Sequence, residues 1–162
     1  MLDDKLMDPR ELRNAFGCFA SGITIVSLRD KVGKPTGVTV SSFSSLSLDP
    51  ALCLFSLGKT QPSCQLLEHS DTFNINILSD HQEDIAWQFS RPSQDKFSGI
   101  SWRPGMNTMP IIDNCLCHFE CKKWATYDGG DHLIIVGEIM NYDKSDGAPL
   151  LFYKGQIAEV AQ

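Results

Sequence analysis

Runs of β-branched and apolar residues, most of them joined by connections too short to hold a crossover helix, restrict this chain more than any other feature. Ile23 to Leu28, Gly37 to Ser41, Ala51 to Leu57, Thr72 to Leu78, Cys115 to Ala125, Leu133 to Tyr142 and Leu150 to Tyr153 all read as strands. Parallel neighbours need a dozen or more residues between them, so strands this closely spaced pair antiparallel. Three short helices accompany them. Asp8-Pro9-Arg10-Glu11 supplies an N-cap, a first-turn proline and a box-closing glutamate ahead of Leu12, Ala15, Phe16 and Phe19, with a stop at Ser21-Gly22. Thr60-Gln61-Pro62 can start a second helix carrying Leu66 and Leu67, and Asp80 with Glu83 a third, which carries Ile85 and Phe89 and ends near Ser90. The balance predicts a mainly β chain, an antiparallel barrel with a few short flanking helices, rather than a doubly wound sheet. No Gly-x-Gly-x-x-Gly occurs, so any nucleotide binds without a Rossmann fingerprint.

With 162 residues the chain is long enough for one core, and no composition shift divides it, so a single domain over residues 1–162 is expected. Its formal charge of −6 lacks the clustered Lys and Arg that nucleic acid demands. No apolar run approaches the roughly 20 residues of a membrane span, and the opening residues lack the basic and apolar regions of a signal peptide. A cytoplasmic protein is expected. The six cysteines fit that reading as free thiols. Cys115, Cys117 and Cys121 share a parity with Phe119, which describes the inner face of one strand, and thiols along an extended ladder do not form a turn-paired zinc site. No metal is expected.

Functional chemistry concentrates in Gly37 to Pro50, where hydroxyls crowd a segment that reads as two strands and a turn. In the first strand Gly37, Thr39 and Ser41 project to one side and Val38 and Val40 to the other, which makes one face polar without charge. Such a face suits close approach to an oxyanion or to the polar edge of a ring, and favours a phosphate-bearing cofactor. From Arg91 to Asn114 the chain is polar and broken by prolines and glycines, with Phe97 and Trp102 as anchors, and irregular stretches of this length are usually functional. His69, His81 and His118 have no convergent partners, and no Ser-His-Asp or Cys-His ordering supports a hydrolase. Trp87, Trp102 and Trp124 read as core or loop anchors.

Three separated segments resemble the flavin reductases of the FMN-binding split-barrel group that serve two-component monooxygenases. They are Thr39-Val40-Ser41-Ser42-Phe43-Ser44-Ser45-Leu46-Ser47-Leu48-Asp49-Pro50, Phe89-Ser90-Arg91 with Asp95-Lys96-Phe97, and Gly130-Asp131-His132 with Gly137. Phe19-Ala20-Ser21-Gly22 and Pro149-Leu150 with Tyr153 and Gly155 add to the likeness, which runs from about Phe16 to Gly155.

The resemblance implies that the barrel is an antiparallel Greek-key split β-barrel, and that the chain is an NAD(P)H-dependent reductase that passes hydride from NADH or NADPH to FMN or FAD, acts as a homodimer, and releases reduced flavin to a separate oxygenase. The flavin-binding positions expected are Gly37, Thr39, Val40, Ser41, Ser42, Ser47, Ser56, Lys59, Phe89, Ser90, Arg91 and Lys96, with the isoalloxazine against a Thr39–Ser47 hairpin. Among these, Arg91, Lys96 and Lys59 are the cations available to a phosphate in an otherwise acidic chain. His132 is the candidate catalytic residue, expected beside the nicotinamide and needed for alignment rather than proton transfer. Asp131, next in the chain, can orient that ring, but in a Gly-rich turn it reads first as a local backbone cap and stays outside the catalytic set. The rival readings are a flavin-holding electron carrier of the same fold without NAD(P)H turnover, an amine-oxidising split barrel with tightly held FMN, and a structural barrel that binds no flavin.

Overall fold

A computed structural model describes residues 7–161 of the chain. The elements run α1 (Pro9–Phe16), β1 (Ser21–Gly22), β2 (Thr24–Arg29), β3 (Pro35–Val40), β4 (Ser44–Leu48), β5 (Ala51–Gly58), α2 (Pro62–His69), β6 (Thr72–Ile77) and, after a 3₁₀ turn at Asp80–Gln82, α3 (Glu83–Ser90). There follow β7 (Trp102–Pro104), β8 (Pro110–Ile112), β9 (Cys117–Gly129), β10 (His132–Lys144), β11 (Leu151–Tyr153) and β12 (Gln156–Ala158). Seven strands form one sheet in the order β3-β2-β6-β9-β10-β5-β4, antiparallel throughout. The jumps from β2 to β6 and from β5 to β10 make the connectivity Greek-key, and the sheet rolls into the expected split barrel. β1, β11 and β12 make a small second sheet, and β7 with β8 a separate hairpin.

Alternation along β6 shows how the barrel is filled and covered. Phe73 and Ile75 enter the barrel core beside Phe55, Leu57 and Ile135, with the Phe55 and Phe73 rings edge-on at 5.3 Å. Full burial of each such side chain contributes about 1.5–3 kcal/mol. Asn74 and Asn76 point the other way and are also fully buried, because the 91–114 segment lies over them. The Asn76 amide donates to Ile25 O (3.1 Å) and Ser27 Oγ (2.8 Å) and accepts from Ile112 N (2.9 Å). Ser27 Oγ donates to Pro110 O at 2.6 Å, and Asn74 Nδ2 to Met109 O at 3.0 Å. A second apolar cluster, holding Ile25, Leu78, Phe89, Phe97, Ile112 and Leu150, packs α3 against the outside of the sheet.

Several expectations change in three dimensions. β3 and β4 do not form a hairpin: they are the two opposite edges of the sheet, and Ser41–Phe43 carries the chain across the split between them. Each edge finds its partner elsewhere, β3 on β2 and β4 on β5. α1 stops at Phe16 with Gly17 as its C-cap, short of Ser21-Gly22 and without Phe19, and none of its residues is buried. Its Asp8 cap forms, accepting from Arg10 N at 2.8 Å, but Glu11 accepts from Asn14 Nδ2 rather than closing a box. The second capping box belongs to Ser79 and Gln82, not Asp80 and Glu83, because a 3₁₀ turn precedes the helix. The cysteine-bearing strand starts at Cys117 and is covered on both faces where His118, Glu120 and Cys121 lie. Asn107 N donates to the buried Glu120 carboxylate at 3.1 Å, so the loop above supplies the missing cover. All six cysteines are free thiols. Trp102 is an anchor beside Phe97, at 5.6 Å, whereas Trp87 and Trp124 are surface residues. The 91–114 stretch contains the β7–β8 hairpin, and β12 follows the last expected strand. The opening segment read for a leader lies mostly outside the described residues.

Candidate active site

The split between β3 and β5 forms a cleft lined by Thr39, Val40, Ser41, Ser42, Ser56, Leu57, Gly58, Gln61 and His132. Ser42 closes the barrel at its base: its hydroxyl donates to Ser56 O at 3.0 Å and accepts from Ser56 N at 2.9 Å. That exchange replaces the backbone ladder the two strands lack. Ser41, one residue earlier, is exposed and faces both this cleft and an adjoining apolar pocket lined by Ile23, Ala86, Trp87, Ser90 and Phe152. An open groove continues from Ser41 and Ser42 past Phe16, Phe19 and Phe152, with Arg13 and Lys154 also in its lining.

His132 opens β10 directly after the Gly129–Asp131 turn and pairs with Gly58 of β5. A Cβ built on Gly58 would stand 3.9 Å from His132 Nε2, so the ring rests over the bare backbone of that glycine. Its Nδ1 lies 2.6 Å from Asp131 Oδ1. The hydrogen bond from His132, and then its charge, hold the Asp131 carboxyl below the usual carboxylate range. The turn is tied to the loop after β5 twice, by Lys59 N donating to Asp131 O at 3.0 Å and by Lys59 Nζ on Asp128 Oδ1 at 2.5 Å. Asp128 is likewise lowered by its bond to Lys59 and by that residue's charge.

Other candidates are placed differently. Gly37 is buried against α3, and a Cβ there would stand 2.7 Å from Val26 O and 3.0 Å from the Phe89 ring. It lets helix and strand approach closely. Thr39 Oγ1 donates to Ala86 O at 2.6 Å, so the hydroxyl latches α3 to β3. The Val40 side chain is in the core, while its carbonyl accepts from Thr24 Oγ1 at 3.2 Å. Phe89 is fully buried, edge-on to Phe97 at 4.9 Å. Ser47 pairs with Leu52 at the far end of β5, roughly 13 Å along the strand from Ser56 at about 3.3 Å per residue. The structure does not bring Gly37, Phe89 or Ser47 into the cleft.

Of the three cations, Lys59 is held by Asp128, and Lys96 curls back to cap α3, donating to Phe89 O (2.7 Å) and Arg91 O (2.5 Å). Burial lowers the Lys96 pKa. Ser90 Oγ donates to Trp87 O at 2.8 Å inside the last turn of α3. Arg91, the C-cap residue of α3, is exposed next to the pocket that Ser90 lines.

Residues 16–161 match the model of the flavin reductase like domain. The chain belongs to that family. It is 40% identical over 141 residues to a probable flavin reductase of Rhizobium meliloti (strain 1021), covering 87% of this chain and 45% of the relative. It is 38% identical over 153 residues to the reductase subunit HsaB of a flavin-dependent monooxygenase of Mycobacterium tuberculosis, covering 92% and 81%. Among solved structures, the Streptomyces globisporus NADH:FAD oxidoreductase SgcE6, in complex with NAD and FAD fragments, superposes with a TM-score of 0.90 at 34% identity, covering 97% of each chain. The chain spans about half the length of the first curated relatives, 45% and 47%.

In this flavin reductase like domain the sequence marks the hydroxyl cluster and His132 but not Gly58 or Gln61, which enter the cleft only because β5 crosses behind Ser42. Gln61 carried no signal beyond preceding the proline of α2. Asp131, read as a backbone cap, has its carboxylate on the His132 ring.

Proposed function

We propose that the protein is an NAD(P)H:flavin oxidoreductase that reduces FMN or FAD and supplies diffusible reduced flavin to a separate monooxygenase component. The observation that carries this reading is the convergence of Ser41, Ser42, Ser56 and His132 on one cleft in a chain that matches the flavin reductase like domain over residues 16–161. The lining suits a flat ring with a polar edge. Hydroxyls and strand backbone offer uncharged donors and acceptors, and Gly58 leaves room at the floor. Arg91 is exposed one residue after Ser90, which lines the adjoining pocket, Arg13 and Lys154 line the open groove, and Lys59 and Lys96 are engaged. The open groove past Phe16 and Phe152 accommodates FAD as well as FMN.

A flavin held there would supply the hydride acceptor for a reduced nicotinamide. The chain itself aligns the two rings. His132 meets the incoming nicotinamide at the mouth of the cleft, Ser41 and Ser56 hold the flavin edge, and Arg91 holds its phosphate. Alignment of this kind contributes through orientation, without a protein acid. We assign the protein to the cytoplasm, where six free thiols stay reduced, with residues 1–162 as one domain. We also assign it a homodimer, for which the exposed Leu48, Trp124, Tyr127 and Met140 provide apolar surface.

The test is NADH and NADPH oxidation with riboflavin, FMN and FAD, for the wild type, Arg91→Ala and His132→Ala. Free flavin should be required for turnover. Loss of a solvated charge contact worth about 1 kcal/mol raises the KM for FMN roughly fivefold in Arg91→Ala and leaves riboflavin unchanged. His132→Ala slows turnover without abolishing it. A flavin-saturated preparation that oxidises neither nucleotide would overturn the assignment.

A further inference from the structure

We propose that Asp131 is a positioning residue that holds His132 in its Nδ1-protonated tautomer, so that Nε2 presents an acceptor to the cleft and selects a ligand bearing an amide N–H. This rests on the proposed function, within which that ligand is the carboxamide of a reduced nicotinamide.

Asp131 Oδ1 and His132 Nδ1 are 2.6 Å apart. An ionised carboxylate only accepts hydrogen bonds, so at that distance the proton belongs to Nδ1. Above the pH at which the ring takes a second proton, an imidazole with its proton there has a bare lone pair on Nε2. That atom stands 3.9 Å from a Cβ built on Gly58, and both residues line the cleft with Ser41, Ser42 and Ser56. The geometry does not depend on a mobile loop tip. Lys59 anchors the turn on both sides of Gly130, through its backbone N–H to Asp131 O at 3.0 Å and its ammonium to Asp128 at 2.5 Å. His132 itself is held in the β5 and β9 ladders opposite Gly58 and Gly129. Asp131 is almost fully exposed, so the pair adds little to stability. Its effect is on which ring nitrogen carries the proton.

An acceptor at Nε2 is satisfied by a carboxamide N–H and is left unpaired by a methyl ketone of the same shape. Reduced 3-acetylpyridine adenine dinucleotide is therefore the probe, compared with the parent nucleotide at saturating flavin. Wild type should favour the carboxamide donor in KM by roughly three- to tenfold, the effect of one hydrogen bond. Asp131→Asn can donate its own amide N–H to Nδ1, which leaves Nε2–H facing the cleft. That variant should lose the preference with kcat within about twofold of wild type. His132→Ala should lose it too, and the double variant no further.

A second readout needs no turnover. Imidazole ¹⁵N spectra should show Nδ1–H for His132 in the wild type and a shift toward Nε2–H in Asp131→Asn. Wild-type spectra with the proton on Nε2, or an Asp131→Asn variant that keeps the full preference while His132→Ala loses it, would overturn the proposal. Absence of nucleotide oxidation by the wild type would instead sink the activity reading, and the spectra would still decide the tautomer.

Discussion

Gly37→Ala separates two readings of one residue, a cofactor contact and a packing contact. The new Cβ would sit 2.7 Å from Val26 O and 3.0–3.1 Å from two atoms of the Phe89 ring, whereas relaxed non-bonded carbons stand about 3.5–4.0 Å apart. Relief therefore requires α3 to move off β3 by roughly 0.5–1 Å and the β2–β3 ladder to give at Val26 O. The first interaction to suffer is the 2.6 Å bond from Thr39 Oγ1 to Ala86 O. Overpacking costs about 1–3 kcal/mol, and a weakened buried hydrogen bond about 0.5–1.5 kcal/mol. The smaller unfolded-state entropy of alanine offsets about 0.4–1 kcal/mol of this. A net loss of about 1–3 kcal/mol lowers the melting temperature by about 2–12 °C in a domain of this size. Thermal unfolding followed by circular dichroism, without flavin, is the assay. If Gly37→Ala melts with the wild type and loses only flavin affinity, the packing argument is wrong and the residue belongs to the ligand.

Three further perturbations follow from the same geometry. Asn76→Leu leaves Ile112 N and Ile25 O without that side chain, while Ser27 Oγ keeps its bond to Pro110 O; at about 1–3 kcal/mol for each buried group left unpaired, the 91–114 segment should detach, and limited proteolysis should cut there first. Burial, then the Arg103 charge, lowers His118 below its ordinary 6.5, so the unfolded chain binds more protons just below that pH. Stability should fall as pH drops from 6.5 toward the folded value, and His118→Gln should flatten that part of a melting temperature against pH profile between pH 5 and 7. Lys96→Met removes the ammonium from Phe89 O and Arg91 O, which should cost about 1–2 kcal/mol and raise KM for FMN and riboflavin equally; a selective loss with FMN would restore Lys96 as a phosphate ligand.

Local features were legible in the residues alone. The Asp8 cap with Pro9, the proline that starts α2 and the Thr72–Leu78 run that becomes β6 depend on neighbours a few positions away, and each element forms within a few residues of its expected place. Where the residues read Asp80 with Glu83 as the capping pair, the structure uses Ser79 with Gln82, in a 3₁₀ turn where Asp80 N donates to Ala148 O as the chain returns.

The antiparallel class, the hydroxyl-rich segment and His132 were set by residue order, because strand periodicity and turn chemistry act over short separations. Which hydroxyl is free was decided only by tertiary contact. Thr39 turns to Ala86, 47 residues away, and Ser42 to Ser56 across the barrel split, since a donor near an unpaired carbonyl bonds to it wherever the chain brings the two together. The same rule sends Lys96 to the end of α3 and Lys59 to Asp128, and it leaves Arg91 exposed at the C-cap of α3. Hydrogen-bond satisfaction is a property of the folded whole, so a residue's type announces what it can bond to and its surroundings determine what it does.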